Sequence, residues 1–293
     1  MPERLKIGGA AQLDGVMIRS EHFSTTVRCI EGDDPHYELV EKKTQTIPKW
    51  LEILSQIPLI RGMCLPLFLA WQLKGGTLAE GMKNQKGPSM IEKAIGLVIL
   101  FAIFVPFILI ANVYCPPGLI ANSVALAPLI LIIGGGIIWM RKCAIDALKY
   151  HGAEHKAVWA YDDTGNLPDV EAAKKRSRLH PRCGSCLIAN QFVAFVVFSL
   201  IFPHLSALWI CLLMQIASTE LMAFARLKFF GKVLNGAGMA LQHITTVEPD
   251  EKHLRAAVAA TRSVLILETA LDVPELPRTR KFKDLAELEA AVG

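Results

Sequence analysis

The sequence predicts a mainly α, polytopic membrane protein with about four transmembrane helices and a small β-rich cytoplasmic module at its N-terminus. Three observations lead there. The 293 residues are 52% apolar and 20% charged, more apolar than an average soluble domain. No Asp, Glu, Lys or Arg occurs from Ala94 to Met140, nor again from Leu187 to Thr219. Lys and Arg crowd the flanks of these two runs and are missing from their middles.

Residues 1–56 form the predicted β-rich module, with Thr25–Ile30 and Tyr37–Lys43 as short strands. Gly8, Gly9 and Gly15 mark tight turns or close backbone approaches. No Gly-Lys-Ser/Thr follows them, so the spacing is not that of a phosphate-binding loop. Met1–Ile7 is polar, and no signal peptide is expected. Residues 57–93 hold an apolar stretch at 57–73, interrupted by Pro58, Arg61, Gly62 and Pro66. It reads as an interfacial or re-entrant helix, followed by a linker.

A spanning helix needs ~20 apolar residues to cross ~30 Å of hydrocarbon. The 94–140 run is long enough for two, and Cys115-Pro-Pro-Gly118 is a turn signal between them. Helices at about 94–114 and 121–140 follow. The 187–225 run splits at Pro203-His204 into helices at about 187–202 and 205–225. Basic residues before the first hairpin, between the two hairpins and after the second put both termini and the central segment in the cytoplasm of a multi-pass inner-membrane protein. The lipid bilayer is then the first partner. A net charge of +4 without a dense basic run argues against nucleic acid. Seven Cys without framework spacing read as free thiols.

The central segment, 141–186, carries the chemistry. Residues 141–161 read as a helix ending at the turn Asp162-Asp163-Thr164-Gly165-Asn166. On it lies His151-Gly-Ala-Glu-His155. The two His are one helical turn apart and share a face, so both imidazoles can reach one metal ion. In the reversed zincin arrangement the Glu, here Glu154, is the general base toward a metal-activated water. The same five residues also suit a solvated helix face with Glu154 paired to a nearby Lys.

A third ligand is needed for a catalytic zinc. Glu220 is the only acidic residue between Leu187 and Phe224, and an ionisable group in an apolar helix is a functional candidate. A salt bridge to Arg226 or Arg182 is its other reading. His180-Pro-Arg-Cys183-Gly-Ser-Cys186 offers further soft ligands, so His180 or Cys183 could complete the site or hold a separate one. It reads equally as a tight turn feeding the next helix. Beyond the second hairpin, 226–271 contains an amphipathic helix at 249–266, with Pro249 at its first position and Asp250 and Glu251 in the first turn. Residues 272–293 are a charged tail with a short helix at 282–292.

Four ordered motifs carry a resemblance. They are Gly8-Gly-Ala-Ala-Gln-Leu-Asp-Gly-Val-Met-Ile-Arg19, Tyr150-His-Gly-Ala-Glu-His-Lys156, His180-Pro-Arg-Cys-Gly184 and Leu241-Gln-His-Ile-Thr-Thr-Val-Glu-Pro249. Over residues 5–265 the chain resembles the YqhQ-like bacterial membrane proteins, a family of uncharacterised function described as metal-dependent enzymes. The resemblance implies a membrane location, a metal site and roles for His151, Glu154, His155, His180 and Cys183. Glu220 falls where relatives carry a Glu in the last helix. The family's Pro-Gly-Leu step is replaced here by Asn235-Gly-Ala-Gly-Met-Ala-Leu241, and Cys186 lies outside the motif.

The expected function is metal-dependent hydrolysis, zinc being the expected ion, of a peptide or lipid-linked substrate at the cytoplasmic face. The rival is a non-enzymatic scaffold or regulator in which the His, Glu and Cys cluster is a structural polar network. A metal sensor or transporter is disfavoured by the few polar groups in the apolar helices.

Overall fold

Five strands form, β1 (Gly8–Ala11), β2 (Gly15–Arg19), β3 (Phe23–Ile30), β4 (His36–Lys43) and β5 (Arg278–Phe282). They make one antiparallel sheet in the order β1-β2-β3-β4-β5. The structure is a computed structural model and describes residues 5–32, 34–44, 48–58, 60, 61, 64, 118–205, 207–224, 228–270, 273 and 275–293. The helices are α1 (Lys49–Gln56), α2 (Leu119–Cys143), α3 (Ile145–Thr164), α4 (Val170–Lys174), α5 (Gly184–Ile201), α6 (Ala207–Phe224), α7 (Lys228–Thr245), α8 (Glu251–Thr269) and α9 (Leu285–Ala290). The chain divides into two compact units, one of residues 1–46, 137–182 and 239–293, the other of residues 47–136 and 183–238.

In the first unit the register Val16↔Val27 and Ile18↔Thr25 puts one face of the sheet into the core with Leu39. Ala153, Ala157 and Ala160 of α3 and Ala256, Ala257 and Ala260 of α8 pack there as well. The small side chains let backbones approach, and Thr25 Oγ1 donates to the carbonyl of Ala260 at 2.6 Å. Gly15 is required in β2, because a Cβ there would stand 2.1 Å from the carbonyl oxygen of Val27. Helix α3 starts after Ala144, which has a non-helical backbone and separates it from α2. It ends on Gly165 in the left-handed region, whose N–H bonds the Tyr161 carbonyl at 2.7 Å. The middle of α3 is buried, Glu154, His155 and Lys156 included.

The second unit contains the α5–α6 hairpin. Pro203 lies in its turn, against Gly118, whose φ is +111°. Gln191 donates to Gln215 across it at 2.6 Å, and Asn122 of α2 donates to Ser199 at 3.3 Å. Many of its large apolar side chains are exposed, among them Phe192, Val197, Leu200, Ile201 and Trp209.

This architecture corrects the expected fold. A sheet with helices packed on it replaces the mainly α, four-span bundle. Among the described residues one helix, α5, is long and apolar enough to cross a membrane. The span expected at 94–114 and most of 57–73 lie outside the described residues. Charge-free runs report composition alone. They do not show that strands from both ends of the chain join into one sheet, or that α3, whose sequence is polar, is a buried helix. Residues 278–282, read as part of a tail, form β5 beside β4.

Helix α9 illustrates local stop and start signals. Asp284 accepts the Glu287 N–H at 2.9 Å, and Glu287 accepts the Lys283 N–H at 2.8 Å. Asp284→Ala is expected to lower stability by ~1 kcal/mol, measured by urea unfolding. An unchanged midpoint would remove the cap from the account.

Candidate metal centre

His151 and His155 project from one face of α3, with ring centroids 4.5 Å apart. Each is oriented from behind. His151 Nδ1 lies 2.9 Å from the carbonyl oxygen of Thr245, and His155 Nδ1 lies 2.6 Å from that of Arg178. A carbonyl oxygen only accepts, so both Nδ1 atoms carry the proton. In the neutral ring each Nε2 then holds the lone pair that a metal needs. Such outer bonds fix the tautomer and orientation of ligating histidines.

Cys183 follows the His180-Pro-Arg segment directly and is the N-cap of α5, its sulfur accepting the Ser185 N–H at 3.5 Å. One donor atom each from His151, His155 and Cys183 lie within 4.8 Å of one another. Tetrahedral zinc with nitrogen and sulfur ligands spaces them ~3.5 Å apart, so shifts of ~1 Å close the group on an ion. The donor set suits zinc, and three protein ligands would leave one position open, as catalytic zinc sites do.

Glu154 lies beside that face of α3 and reaches β1. Its carboxylate accepts the Gly9 N–H, and a Cβ on residue 9 would stand 2.8 Å from Glu154 Cγ and 2.5 Å from the Met17 carbonyl oxygen. Gly9 is therefore a close backbone approach, whereas a Cβ on Gly8 would meet open space. Burial pushes the Glu154 carboxyl up to about 7, against the nearby His151 and the Gly9 N–H, which lower it.

His180 is brought to the same place in a different role. Its Nδ1 accepts the Arg182 N–H at 3.2 Å, so Nε2 carries the proton and faces Asp162 at 3.3 Å. Burial raises the pKa of Asp162, but the hydrogen bonds from His180 and Arg182 outweigh it and hold the carboxyl below its ordinary range. The ring of His180 lies 5.7 Å from that of His155 and 4.7 Å from that of Trp159. The three-donor group contains neither His180 nor Glu220. In the second unit, Arg61 grips both carboxylate oxygens of Glu220, at 2.8 and 2.5 Å.

The segment before Cys183 is pinned residue by residue. Arg178 O meets His155, Leu179 O takes the Trp159 indole N–H at 2.8 Å, and the His180 backbone N–H and carbonyl bond the side-chain amide of Gln242 at 2.7 and 2.8 Å. Arg178 in turn donates to Thr246 O and Oγ1, at 2.7 and 2.6 Å. Lys156, buried beside His155, reaches Glu248 at 2.5 Å. Asp162, Arg178, Gln242, Thr245 and Thr246 escaped a role in the sequence. Asp162 was legible only as a turn, and the others act through backbone atoms or through partners distant in sequence.

Residues from all four quoted motifs thus stand around α3. The family described as a protein of unknown function, DUF1385, matches this chain over residues 57–266. The chain belongs to that family. The match takes in α3, the His180-Pro-Arg-Cys segment and the Thr-Thr-Val-Glu-Pro stretch, and leaves out Gly9. A relative is the uncharacterised protein YqhQ of Bacillus subtilis (strain 168), 26% identical over 310 aligned positions that cover 92% of this chain and 95% of that one. No solved structure matches.

Proposed function

We propose that the chain is a metal-dependent hydrolase whose centre is held by His151, His155 and Cys183, with zinc as its ion and Glu154 as its base. The observation that carries this is the paired tautomer lock. Two backbone carbonyls, from separate segments, hold both Nδ1–H groups, so both lone pairs are set for the ion beside a thiol. Bound zinc would supply a Lewis acid that makes water a nucleophile near neutral pH. The chain's own part is to orient that water and to take its proton on Glu154. The exposed apolar side chains of the α5–α6 hairpin support anchorage to the lipid bilayer, with the centre on the cytoplasmic side and a peptide or lipid-linked molecule as substrate.

Metal analysis of purified protein tests the reading. One equivalent is expected in the wild type and in Glu154→Gln, and none in His155→Ala. No stoichiometric metal in the wild type would sink it. Metal retained in His155→Ala would move the site to His180 and Cys183. A scaffold reading is favoured by the saturated bonds that tie Arg178, His180, Gln242 and Thr246 together. A metal-free wild type with normal stability would support it.

A further inference from the structure

Two thiols stand at the start of α5, and the metal centre takes only one of them. Cys183 caps the helix and Cys186 follows three residues on, in the stretch Cys183-Gly-Ser-Cys186. Both are thiols in this structure. The Cys186 N–H bonds the Cys183 carbonyl at 2.9 Å, which closes a turn between them. Such a turn brings the Cα atoms of its first and last residues within about 7 Å. Disulfides bridge Cα atoms about 4.4–6.8 Å apart. The backbone therefore holds the two residues at bridging range, with no long loop to close. Cys-x-x-Cys at the head of a helix is also the arrangement that redox-active dithiols use.

The two sulfurs are unequal. Cys183 is partly exposed, whereas Cys186 is 1% exposed. Helix α7 crosses at Cys186, where a Cβ on Gly238 would stand 2.4 Å from the Cys186 sulfur and 2.5 Å from its Cα. Gly238 leaves a notch, and the Cys186 sulfur occupies it. A dissolved oxidant thus reaches Cys183 and is screened from Cys186. Unequal access is what a dithiol pair requires. One sulfur meets the oxidant, and the other reacts only with its neighbour.

We propose that Cys183 and Cys186 form a reversible dithiol–disulfide pair, oxidised by a hydroperoxide, whose closure withdraws the Cys183 sulfur from the metal centre. The Cys183 thiol takes one oxygen of the peroxide and becomes a sulfenic acid, with release of one water. The Cys186 sulfur then displaces that oxygen as a second water, and the sulfur–sulfur bond forms. Each thiol gives up one proton and one electron, and the peroxide takes both pairs. A metal binds the thiolate, so a sulfur spent in a disulfide no longer serves as a ligand. The withdrawal rests on the metal-centre reading, whereas the disulfide forms without it.

The full chain would be treated with hydrogen peroxide, blocked with an alkylating reagent and digested at aromatic residues, cleavage at Phe192 separating the pair from Cys211. The wild-type stretch is expected to escape alkylation and to weigh two hydrogens less than its dithiol, and dithiothreitol should restore it. Cys186→Ser should keep its metal in reducing buffer and form no such bond, its Cys183 gaining oxygen instead, in acids that dithiothreitol does not reverse. Cys186→Ala repeats the comparison with an apolar side chain at the buried position. Zinc-loaded wild type is expected to lose its metal as the disulfide appears and to rebind it after reduction. Two sulfurs that both remain open to alkylation after peroxide overturn the proposal. So does a two-hydrogen loss that persists in Cys186→Ser, or zinc kept in full by the oxidised wild type. A wild type that forms the disulfide yet never held zinc removes the metal reading and keeps the pair.

Discussion

Gly152→Ala will destabilise the protein by ~2–3 kcal/mol, although alanine is the better helix former by ~1 kcal/mol. The added methyl would stand 2.3 Å from the carbonyl oxygen of Val247, and 3.4 Å from Pro249 Cδ. The first is a backbone atom within the Thr-Thr-Val-Glu-Pro stretch, and that stretch cannot swing aside. Val247 N is bonded to the Leu148 carbonyl at 3.1 Å, Thr245 holds His151, and Lys149 holds Asp250. Any retreat of residues 245–250 therefore pulls the carbonyl from His151 Nδ1. The variant should lose metal affinity as well as stability, the more so because orienting partners are worth tenfold or more in affinity. Urea unfolding and metal titration check the two together. A Gly152→Ala protein as stable as wild type would mean that the 245–250 stretch does not cross α3 at this glycine.

Glu41→Ala should cost ~3 kcal/mol, by leaving two arginines without their counter-ion. Glu41 is 1% exposed in β4 and is gripped by Arg278 and Arg280 of β5, while Ser263 of α8 donates to it at 2.7 Å. One carboxylate thus fastens β5 and α8 to the sheet. Burial alone would raise its pKa, but Arg278, Ser263 and Arg280 more than offset that and hold it below the ordinary glutamate value. The sign of the pH effect follows. A depressed folded pKa stabilises the fold above the unfolded value of ~4.3, and this contribution fades as pH falls toward the folded value. Wild-type stability should drop through that window, and Glu41→Gln should show a shallower drop. Equal slopes in the two proteins would assign the acid sensitivity elsewhere.

Much of the local structure is written in the sequence. The turn at Asp162–Asn166 ends α3, Pro203 lies in the turn between α5 and α6, and alternation finds β3 and β4. The paired His at 151 and 155 share a face because four residues make about one helical turn. What escapes is long-range. β5 has the composition of a charged tail, since Arg278 and Arg280 become legible only opposite Glu41. The tautomer lock is equally hidden, because a main-chain carbonyl acceptor has no residue signature. Thr245 and Arg178 act there through main-chain oxygen, and any residue in their place supplies one.

The meander of β1 to β4 is made early in the chain, yet its last partner, β5, comes from residues 278–282. During synthesis β4 therefore presents an open row of amide and carbonyl groups while more than two hundred residues follow it. An open edge invites pairing with another chain. The ribosome must add residues 44–277 before that edge can close, so this protein's hazard of mispairing lies in its birth rather than in its finished state.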